Sequence, residues 1–474
     1  MSSLLSLSLV ELAGALQARK ASPVDLMKEV FDAVDRYNPR FNAIIAERDR
    51  GELRADAEAA EKRIASGDGR PLEGIPFGVK DLEDAAGLPT THGSVPLRGA
   101  MPESDSTQVA RLRAAGAIVY GKTNAPEFGS NAITRNLLFG ETRSPWDETR
   151  TSGGSSGGSS AALVAEMLPL VTASDGGGSI RIPASFVGAF GLKPSYGRVP
   201  VGPFPIWEHG ATAVYGPLTK TVEDAALFLD QVAGFDPYDP RSLPRPERSY
   251  LEAVRAPFER KLRIGYSPDL GYAVVQSDVA AIVEDGVRLF EKLGHSVHRI
   301  EGGPVEMGGE WGLITAFEVG ARIAKLRPAH DAEFSRGLLE TIRYVESMTQ
   351  TMWGEISRKR AAVVAWCAET FTEFDLLVTP TVPYDPPPAR GPFPTETEGR
   401  PQVTASAASF TIPFNMAWNP AATVRAGLSR AGLPVGLQIV GPMHREDLVL
   451  RAARAFERER PAHPDWPLRR ARAT

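Results

Sequence analysis

Two glycine- and serine-rich segments lie close together in the chain, TSGGSSGGSS at residues 151–160 and DGGGSIRIPA at residues 175–184. The apolar run LVAEMLPLVTA separates them at 163–173. Such composition, taken alone, is typical of a solvated linker. The apolar flanks argue against a linker, because ALVAEM continues as a helical pattern that solvated chain does not need.

Two catalytic interpretations of the first segment compete with the linker. A phosphate-binding P-loop is disfavoured because the segment lacks the GK[ST] ending that supplies a lysine and a magnesium ligand. A nucleophile elbow matches G-x-S-x-G at 153–157, but it needs a preceding strand, and SPWDETRT at 144–151 is predicted to be a polar loop. An elbow also needs a downstream histidine, and none stands in a catalytic setting among His209, His295, His298, His330, His444 and His463.

The composition narrows the class of protein. With 474 residues, 42% of them hydrophobic, the chain can bury a large core. The net charge of -5 leaves no need for a basic face, so nucleic acid is not expected as a partner. The single cysteine, Cys367, lies in an apolar helical pattern and is predicted to be a buried structural thiol.

The sequence also indicates where the protein resides. The N-terminal MSSLLSLSLVELAG lacks a basic region, and Glu11 interrupts its apolar run, so no signal peptide is predicted. No run of 18 apolar residues suggests a membrane span. One cysteine allows no disulfide within the chain, which fits a reducing compartment. We therefore expect a cytoplasmic protein that does not bind membranes.

Short apolar runs alternate with helical patterns, which indicates an α/β fold. Ser22 followed by Pro23 predicts the start of a helix, as an N-cap and a first-turn proline. The predicted strands are IPFGVKD at 75–81, AIVYGKT at 117–123, LPLVTAS at 168–174, LRIGYS at 262–267, DLLVTPTVP at 375–383 and GLPVGLQIVGP at 432–442.

Three segments in order resemble the amidase signature family: GIPFGVKD at 74–81, GGSSGGSSAAL at 153–163 and DGGGSIRIPASFVGAFGLKPSYGRVP at 175–200. Supporting matches are GKTNAPEFG at 121–129, TRSPWD at 142–147 and GLPVGLQIVGP at 432–442. The resemblance extends to about residue 457. It implies one α/β/α domain over 1–474 with a central mixed sheet surrounded by helices, N-terminal helices in 1–70, the signature core in 71–240 and a helical substrate-cavity region in 300–370. It implies neither a cofactor nor a metal.

The resemblance also implies a Ser–cisSer–Lys catalytic unit. Carried over by position, Ser179 is the nucleophile, Ser155 the bridging serine after a cis peptide bond from Gly154, and Lys80 the base. Lys80 can accept a proton only when neutral, and a free lysine has a pKa near 10.4. Its place at the end of the apolar run IPFGV suits burial, which lowers that pKa.

The second glycine run predicts an oxyanion hole. Glycine has no Cβ to block inward-pointing N–H groups, and a row of such donors stabilises a developing negative charge. The candidate donors are the backbone N–H groups of Gly176, Gly177, Gly178 and Ser179. The neighbouring Asp175 and Arg181 are expected to brace the loop rather than to act in catalysis.

Residues that contact the substrate are expected in three places in this family. The first is Phe128, Gly129 and Ser130; the second is Phe204, Trp207 and His209; the third is the helical region containing Trp311. This aromatic set favours a substrate with an apolar or aryl substituent. For each aromatic residue, packing in the protein core is an equally good interpretation. Two residues depart from the family pattern near the C-terminus: Asn419 precedes Pro420 where a small residue is usual, and Arg425 stands where a proline is expected. This region borders the substrate cavity in relatives, so the substrate specificity of relatives does not transfer directly to this chain.

The leading hypothesis is an amidohydrolase acting on a small, rather apolar amide, anilide or carbamate through a seryl acyl-enzyme, with esterase activity as a side reaction. The alternative is the glutamine amidase subunit of a tRNA-dependent amidotransferase. A binding protein on an amidase scaffold is a third option, disfavoured by the intact Lys80, Ser155 and Ser179. The expected partner is a small-molecule substrate, and the expected assembly is a monomer or a homodimer.

Overall fold

The computed structural model describes residues 3–203, 210–403 and 406–468, in which helices and strands alternate. The helices are α1 Leu9–Gln17, α2 Pro23–Phe41, α3 Arg50–Ser66, α4 Thr107–Ala114, α5 Gly157–Val164, α6 Arg181–Val187, α7 Val222–Val232, α8 Tyr250–Arg255, α9 Ser277–Lys292, α10 Gly308–Ile323, α11 Arg336–Glu346, α12 Gln350–Glu373, α13 Ile412–Met416 and α14 Glu446–Glu459.

The strands are β1 Ile44–Glu47, β2 Pro76–Lys80, β3 Ile118–Thr123, β4 Arg135–Asn136, β5 Gly140–Glu141, β6 Arg143–Ser144, β7 Asp147–Thr151, β8 Leu170–Val171, β9 Ser174–Asp175, β10 Phe190–Lys193, β11 Val214–Tyr215, β12 Leu218–Thr219, β13 Arg263–Tyr266, β14 Ser296–Arg299, β15 Leu376–Pro380, β16 Glu396–Thr397, β17 Arg400–Pro401, β18 Ala421–Leu428 and β19 Pro434–Val440.

The N-terminal helices begin where the sequence supplies caps. The Ser8 hydroxyl accepts from the Glu11 N–H, and the Glu11 carboxylate accepts from the Ser8 N–H, which forms a capping box at α1. The Ser22 hydroxyl accepts from the N–H groups of Val24 and Asp25 at the start of α2, with Pro23 in the first turn as predicted. These bonds satisfy N–H groups that the first turn of a helix leaves without an internal partner.

Two mixed ladders contain most of the strands, and the other strands of the described structure form two-stranded pairs. The first has the order β1-β3-β2-β8, with β2 parallel to both β3 and β8. The second has the order β12-β10-β18-β19-β15-β13-β14, in which β13, β14 and β15 are parallel and the remaining pairs antiparallel. Strand β8 contacts β12, so the ladders meet at those edges. The α/β class and the mixed sheet are as predicted.

Helices cover both faces of the second ladder. A Cβ at Gly436 in β19 would meet Ser185 of α6, whereas the next residue, Leu437, packs against Gly286 of α9. Successive residues of a strand point to opposite faces, so α6 and α9 lie on opposite sides of the sheet. In the described portion of the chain, no helix combines the length and the apolar character that a membrane crossing requires.

The glycine- and serine-rich segment at 151–160 is part of the core. Every residue from 151 to 164 is buried, and α5 begins inside the segment at Gly157. A Cβ at Gly158 would lie 2.2 Å from the backbone nitrogen of Asn124, so only glycine fits there. The linker interpretation is therefore excluded. Close approach between backbones, rather than flexibility, explains this composition.

Two local predictions need correction. SPWDETRT is not a loop, because Asp147–Thr151 forms β7 and pairs with β6 in an antiparallel hairpin. The strand has a polar sequence because Glu148 and Thr149 face solvent, and a polar sequence is also typical of a loop. Arg425 lies in β18 and donates to Asp465 Oδ2 at 2.7 Å, and Asn419 donates to the Gly441 carbonyl at 3.0 Å. Neither residue lines the cavities described below, so these departures do not alter the described cavity walls.

Candidate active site

The three predicted catalytic residues stand at the ends of neighbouring elements. Lys80 is the last residue of β2, and Ser174 follows the parallel neighbour β8. The carboxyl ends of parallel strands meet at the same edge of a sheet, which brings Ser174 to Lys80. Ser155 and Ser179 each stand two residues before a helix, α5 and α6 respectively, and the two helices contact each other.

The Lys80 ammonium group is fully buried among hydroxyl and carbonyl oxygens. Its Nζ lies 2.9 Å from Ser155 Oγ, 2.9 Å from Ser174 Oγ and 3.2 Å from the Ser174 carbonyl oxygen. The peptide bond between Gly154 and Ser155 is cis, as the family resemblance implied. The structure thus brings Lys80 and Ser155 into direct contact and adds Ser174, which the sequence analysis missed.

This environment favours a neutral amine. Burial lowers the pKa of Lys80 to about 7, although the negative charges of Glu83 and Asp175 act in the opposite direction. A neutral amine has two N–H donors and one lone pair. It can donate to both oxygens of Ser174 and accept the Ser155 hydroxyl proton, which matches its three contacts.

Asp81 does not counter this effect by pairing with Lys80. It lies 3.8 Å from Lys122 Nζ and accepts from the N–H groups of Thr91 and Gly93. The Asp81 carboxylate is therefore held by Lys122 and these N–H groups and is not in hydrogen-bond contact with the Lys80 amine.

Ser179 lies between two cavities. The first, of about 200 Å³, is lined by Ser155, Ser174 and Ser179 together with polar and apolar residues. The second, of about 240 Å³, also contains Ser179, and its wall is mostly apolar: Ala132, Ile182, Phe393, Val403, Ala407 and Ala408. A substrate bound at Ser179 can therefore place its two substituents in different surroundings.

The described substrate candidates line these cavities. Gly129 and Trp311 line both, Phe128 lines the first and Ser130 lines the second. The Trp311 indole donates to the Gly176 carbonyl at 2.7 Å, and a Cβ at Gly177 would lie 2.6 Å from its ring. Trp311 therefore packs against the glycine loop itself. The predicted residues Phe204, Trp207 and His209 lie outside the described residues.

The first cavity also contains residues that the sequence analysis did not select, including His92, Glu318 and Arg322. Burial and the charges of Arg322 and Lys122 lower the pKa of His92 to about 3, so its imidazole is neutral. His92 stacks on Phe128 with ring centroids 5.7 Å apart. In the sequence, His92 was marked only by its position between the predicted strands that became β2 and β3. The other described histidines do not line either cavity.

The predicted oxyanion hole needs one correction. The Gly178 N–H donates to Asp175 Oδ1 at 2.7 Å, so it is already occupied and leaves the predicted set. Among the described residues, no acceptor takes the N–H groups of Gly176, Gly177 and Ser179. These three remain the candidate donors to a substrate oxyanion.

Asp175 and Arg181 brace the loop that contains Ser179, as expected. Both are fully buried, and Arg181 Nη2 lies 2.9 Å from Asp175 Oδ1. Burial alone would raise the pKa of Asp175, but the charge of Arg181 and hydrogen bonds from Arg181 and Asn415 hold it well below its usual range. The Ile180 N–H also donates to Asp175, so one carboxylate fixes the backbone on both sides of Ser179.

Asp175→Asn is expected to destabilise the protein by about 3 kcal/mol, because it leaves the Arg181 charge buried without its counter-ion. Urea unfolding followed by tryptophan fluorescence measures this loss. The matched control is Glu148→Gln, whose exposed pair with Arg40 should contribute about 1 kcal/mol or less. Equal losses in the two variants would contradict the bracing role.

Metal-assisted and cysteine-based catalysis are two other kinds of chemistry to consider. In the part of the chain that the structure describes, no three side chains of His, Cys, Asp or Glu converge in a metal-binding arrangement. Cys367 is buried, and burial raises the pKa of its thiol to about 12. It is therefore a packing residue, as predicted, and not a nucleophile.

Comparison with known proteins agrees with this geometry. A family model described as Amidase matches residues 25–450. The chain belongs to the amidase signature family. An acylamidase of Rhodococcus erythropolis is 37% identical to this amidase, and the match covers 96% of each chain. A glutamyl-tRNA(Gln) amidotransferase subunit of Geobacter sp. (strain M21) is 33% identical over 98% of this chain and 99% of its own.

Solved structures give the same result for this amidase. The crystal structure of a bacterial aryl acylamidase, which belongs to the amidase signature enzymes, matches with a TM-score of 0.91. It is 30% identical and covers 96% of each chain. The predicted family and fold are thus confirmed. The protein is a hydrolase acting on carbon–nitrogen bonds other than peptide bonds.

Proposed function

We propose that this amidase cleaves a small, rather apolar amide, anilide or carbamate through an acyl-enzyme on Ser179. The observation that carries the proposal is the contact between the buried Lys80 amine and the Ser155 hydroxyl, beside Ser179 in one cavity. A buried lysine with a pKa of about 7 is available as a base at neutral pH.

The proposed reaction begins with proton transfer. The Ser155 hydroxyl passes its proton to the Lys80 lone pair while it accepts the proton of Ser179. The Ser179 oxygen forms a bond to the substrate carbonyl carbon, and the carbonyl oxygen becomes an oxyanion held by N–H groups of the glycine loop. The carbon–nitrogen bond then breaks as the proton returns through Ser155 to the leaving nitrogen. Water repeats the sequence to release the acid.

The two cavities support a substrate with unlike substituents. The apolar wall formed by Ile182, Phe393 and Ala407 suits a hydrocarbon or aryl group, because its burial removes apolar surface from water. The combined cavity volume matches a small molecule rather than a peptide chain. The relatives named acylamidase and aryl acylamidase are consistent with this choice. An ester of the same acid should react as well, since it forms the same acyl-enzyme.

The proposal is tested with a panel of compounds that share one short aliphatic or aryl acyl group: a primary amide, a nitroanilide, a carbamate and an ester. Glutamine is included at the same concentration. The expected result is turnover of the nitroanilide and the ester, with no ammonia from glutamine. Hydrolysis of glutamine as the sole substrate would overturn the choice of substrate.

The glutamine amidase function is the second candidate. The first cavity contains both Glu318 and Arg322, opposite charges that could face the ammonium and carboxylate of glutamine. The similarity to the glutamyl-tRNA(Gln) amidotransferase relative covers nearly the whole chain. The same panel separates the two functions. Glu318→Gln and Arg322→Gln should each raise the KM for glutamine at least tenfold if this candidate is correct, and should leave anilide turnover intact if it is not.

A further inference from the structure

An indole ring holds one peptide group of the glycine loop by its carbonyl. Trp311 Nε1 donates to the Gly176 carbonyl at 2.7 Å. The peptide bond between Gly176 and Gly177 is trans, so its N–H, which belongs to Gly177, points away from that carbonyl. Among the described residues this N–H has no acceptor, and it is one of the candidate oxyanion donors. The bond from Trp311 therefore fixes the direction in which the Gly177 N–H points.

This peptide group needs such a restraint because it lies between two glycines. Neither residue has a Cβ, so little steric cost opposes rotation of the peptide plane. A half-turn of the plane would present the Gly176 carbonyl oxygen to a substrate oxyanion in place of the Gly177 N–H. The negative end of the peptide dipole would then face the developing negative charge, which is the reverse of what an oxyanion hole requires.

The next peptide group is restrained at both ends by other residues. The Gly177 carbonyl accepts from Thr411 Oγ1 at 2.6 Å, and the Gly178 N–H donates to Asp175 Oδ1 at 2.7 Å. In the described structure, the peptide group before it has a hydrogen bond at its carbonyl end alone, and Trp311 supplies that bond. Loss of the indole N–H would therefore release a peptide group that nothing else holds by a hydrogen bond.

The indole is itself held in place. Trp311 lies near the start of α10, where its N–H donates to the Met307 carbonyl at 2.9 Å, and its ring packs against an apolar cluster that includes Ile182 and Phe414. A Cβ at Gly177 would lie 2.6 Å from the ring, so the ring and the loop are in close contact. Trp311 also lines both cavities, so a substrate in either cavity lies beside the residue that orients the loop.

We propose that Trp311 is a positioning residue that fixes the Gly177 N–H as an oxyanion donor. The inference rests on the proposed function, because an oxyanion forms only if a carbonyl compound reacts at Ser179. This role differs from the contact that Trp311 offers to a substrate. A contact residue acts through the shape of its ring, whereas this role requires the indole N–H.

Trp311→Phe removes the indole N–H and keeps an aromatic ring. For the best amide of the panel, kcat is expected to fall about tenfold, less than the 10²- to 10³-fold loss typical when an oxyanion donor is removed outright. KM should stay within about twofold, because an interaction made only in the transition state lowers kcat and kcat/KM together. A higher KM with an unchanged kcat would mean that Trp311 acts by contact alone, and would overturn the inference.

A second replacement separates the N–H from the shape of the ring. Benzothienylalanine, incorporated at position 311, has the outline of tryptophan with sulfur in place of the indole N–H. This enzyme should show the same fall in kcat as Trp311→Phe, and a wild-type kcat would overturn the inference. The replacement also keeps the inference testable if Trp311→Phe fails to fold.

A trifluoromethyl ketone that carries the acyl group of the panel tests the oxyanion itself. The Ser179 oxygen bonds to the ketone carbon, the Ser179 proton passes through Ser155 to Lys80, and the former carbonyl oxygen becomes the anion. In both Trp311 variants the Ki of the ketone should rise about tenfold. The affinity for the corresponding alcohol, which forms no adduct, should change by less than about twofold. Equal changes for the two compounds would contradict the inference.

The matched control is Trp146→Phe. The Trp146 indole also donates to a backbone carbonyl, that of Val187 at 2.8 Å, but Trp146 lines neither cavity. Its kcat and its Ki for the ketone should stay within about twofold of the wild type. Equal losses in Trp146→Phe and Trp311→Phe would overturn the inference. A wild-type enzyme that neither hydrolyses the panel nor binds the ketone would refute the proposed function instead.

Discussion

Ser179→Ala is expected to lower kcat for the best amide of the panel by a factor on the order of 10⁴ to 10⁶. The substitution removes the oxygen that would form the acyl-enzyme, and no other described hydroxyl lies between the two cavities with free N–H donors beside it. Folding should be preserved, because Ser179 is partly exposed to the cavities and a single hydroxyl is lost. Steady-state kinetics and circular dichroism measure the two effects.

The matched control is Ser185→Ala. Ser185 lies on α6, which starts two residues after Ser179, and it is buried. In the described structure its hydroxyl has no hydrogen-bond partner, so its removal should leave kcat within about twofold of the wild type. Retained activity in Ser179→Ala, with a loss in Ser185→Ala, would require a different nucleophile.

Lys80→Met is expected to lower kcat by a factor of about 10³ and to remove the rise in activity around pH 7. Methionine keeps the length and suits a buried position, but it cannot accept a proton. In the wild type, the pKa of about 7 means that the amine is protonated and inactive as a base below pH 7, and neutral above it. The pH dependence of kcat/KM from pH 5 to pH 9 measures both effects.

Lys193→Met is the control for burial of a lysine. Lys193 is 1% exposed, and burial lowers its pKa to about 7 as well. Its amine, however, donates to the Pro194 carbonyl at 2.9 Å and contacts neither Ser155 nor Ser179. This variant should keep the wild-type pH profile. A loss of the pH 7 transition in Lys193→Met alone would mean that the wrong lysine has been assigned.

The sequence was informative where composition is constrained by close packing. A Cβ would meet backbone atoms at Gly153, Gly154 and Gly158, and it would meet side chains at Gly157, Gly177 and Gly178. Close packing therefore requires glycine at these positions, and this constraint leaves a pattern that can be read without coordinates. Lys80 was assigned through the family resemblance, and its place at the end of an apolar run indicated its burial. The strands at 75–81, 117–123 and 432–442 carry the same kind of signal, since buried strands are continuous apolar runs.

Other parts of the site could not be read from the sequence. His92 reaches the first cavity from a turn, and Phe393 reaches the second from irregular chain. In such segments no periodicity marks a side chain that points inward. The occupied N–H of Gly178 depends on the position of the Asp175 carboxylate, which composition does not specify.

The most direct test of the lysine-activated serine is the rate of covalent labelling by a fluorophosphonate as a function of pH, with the modified residue located by peptide mass spectrometry. The account predicts an adduct on Ser179 whose rate of formation rises with a midpoint near pH 7 and becomes slow and flat in Lys80→Met. An adduct on another residue, or a wild-type rate that does not change between pH 5 and pH 9, would contradict it.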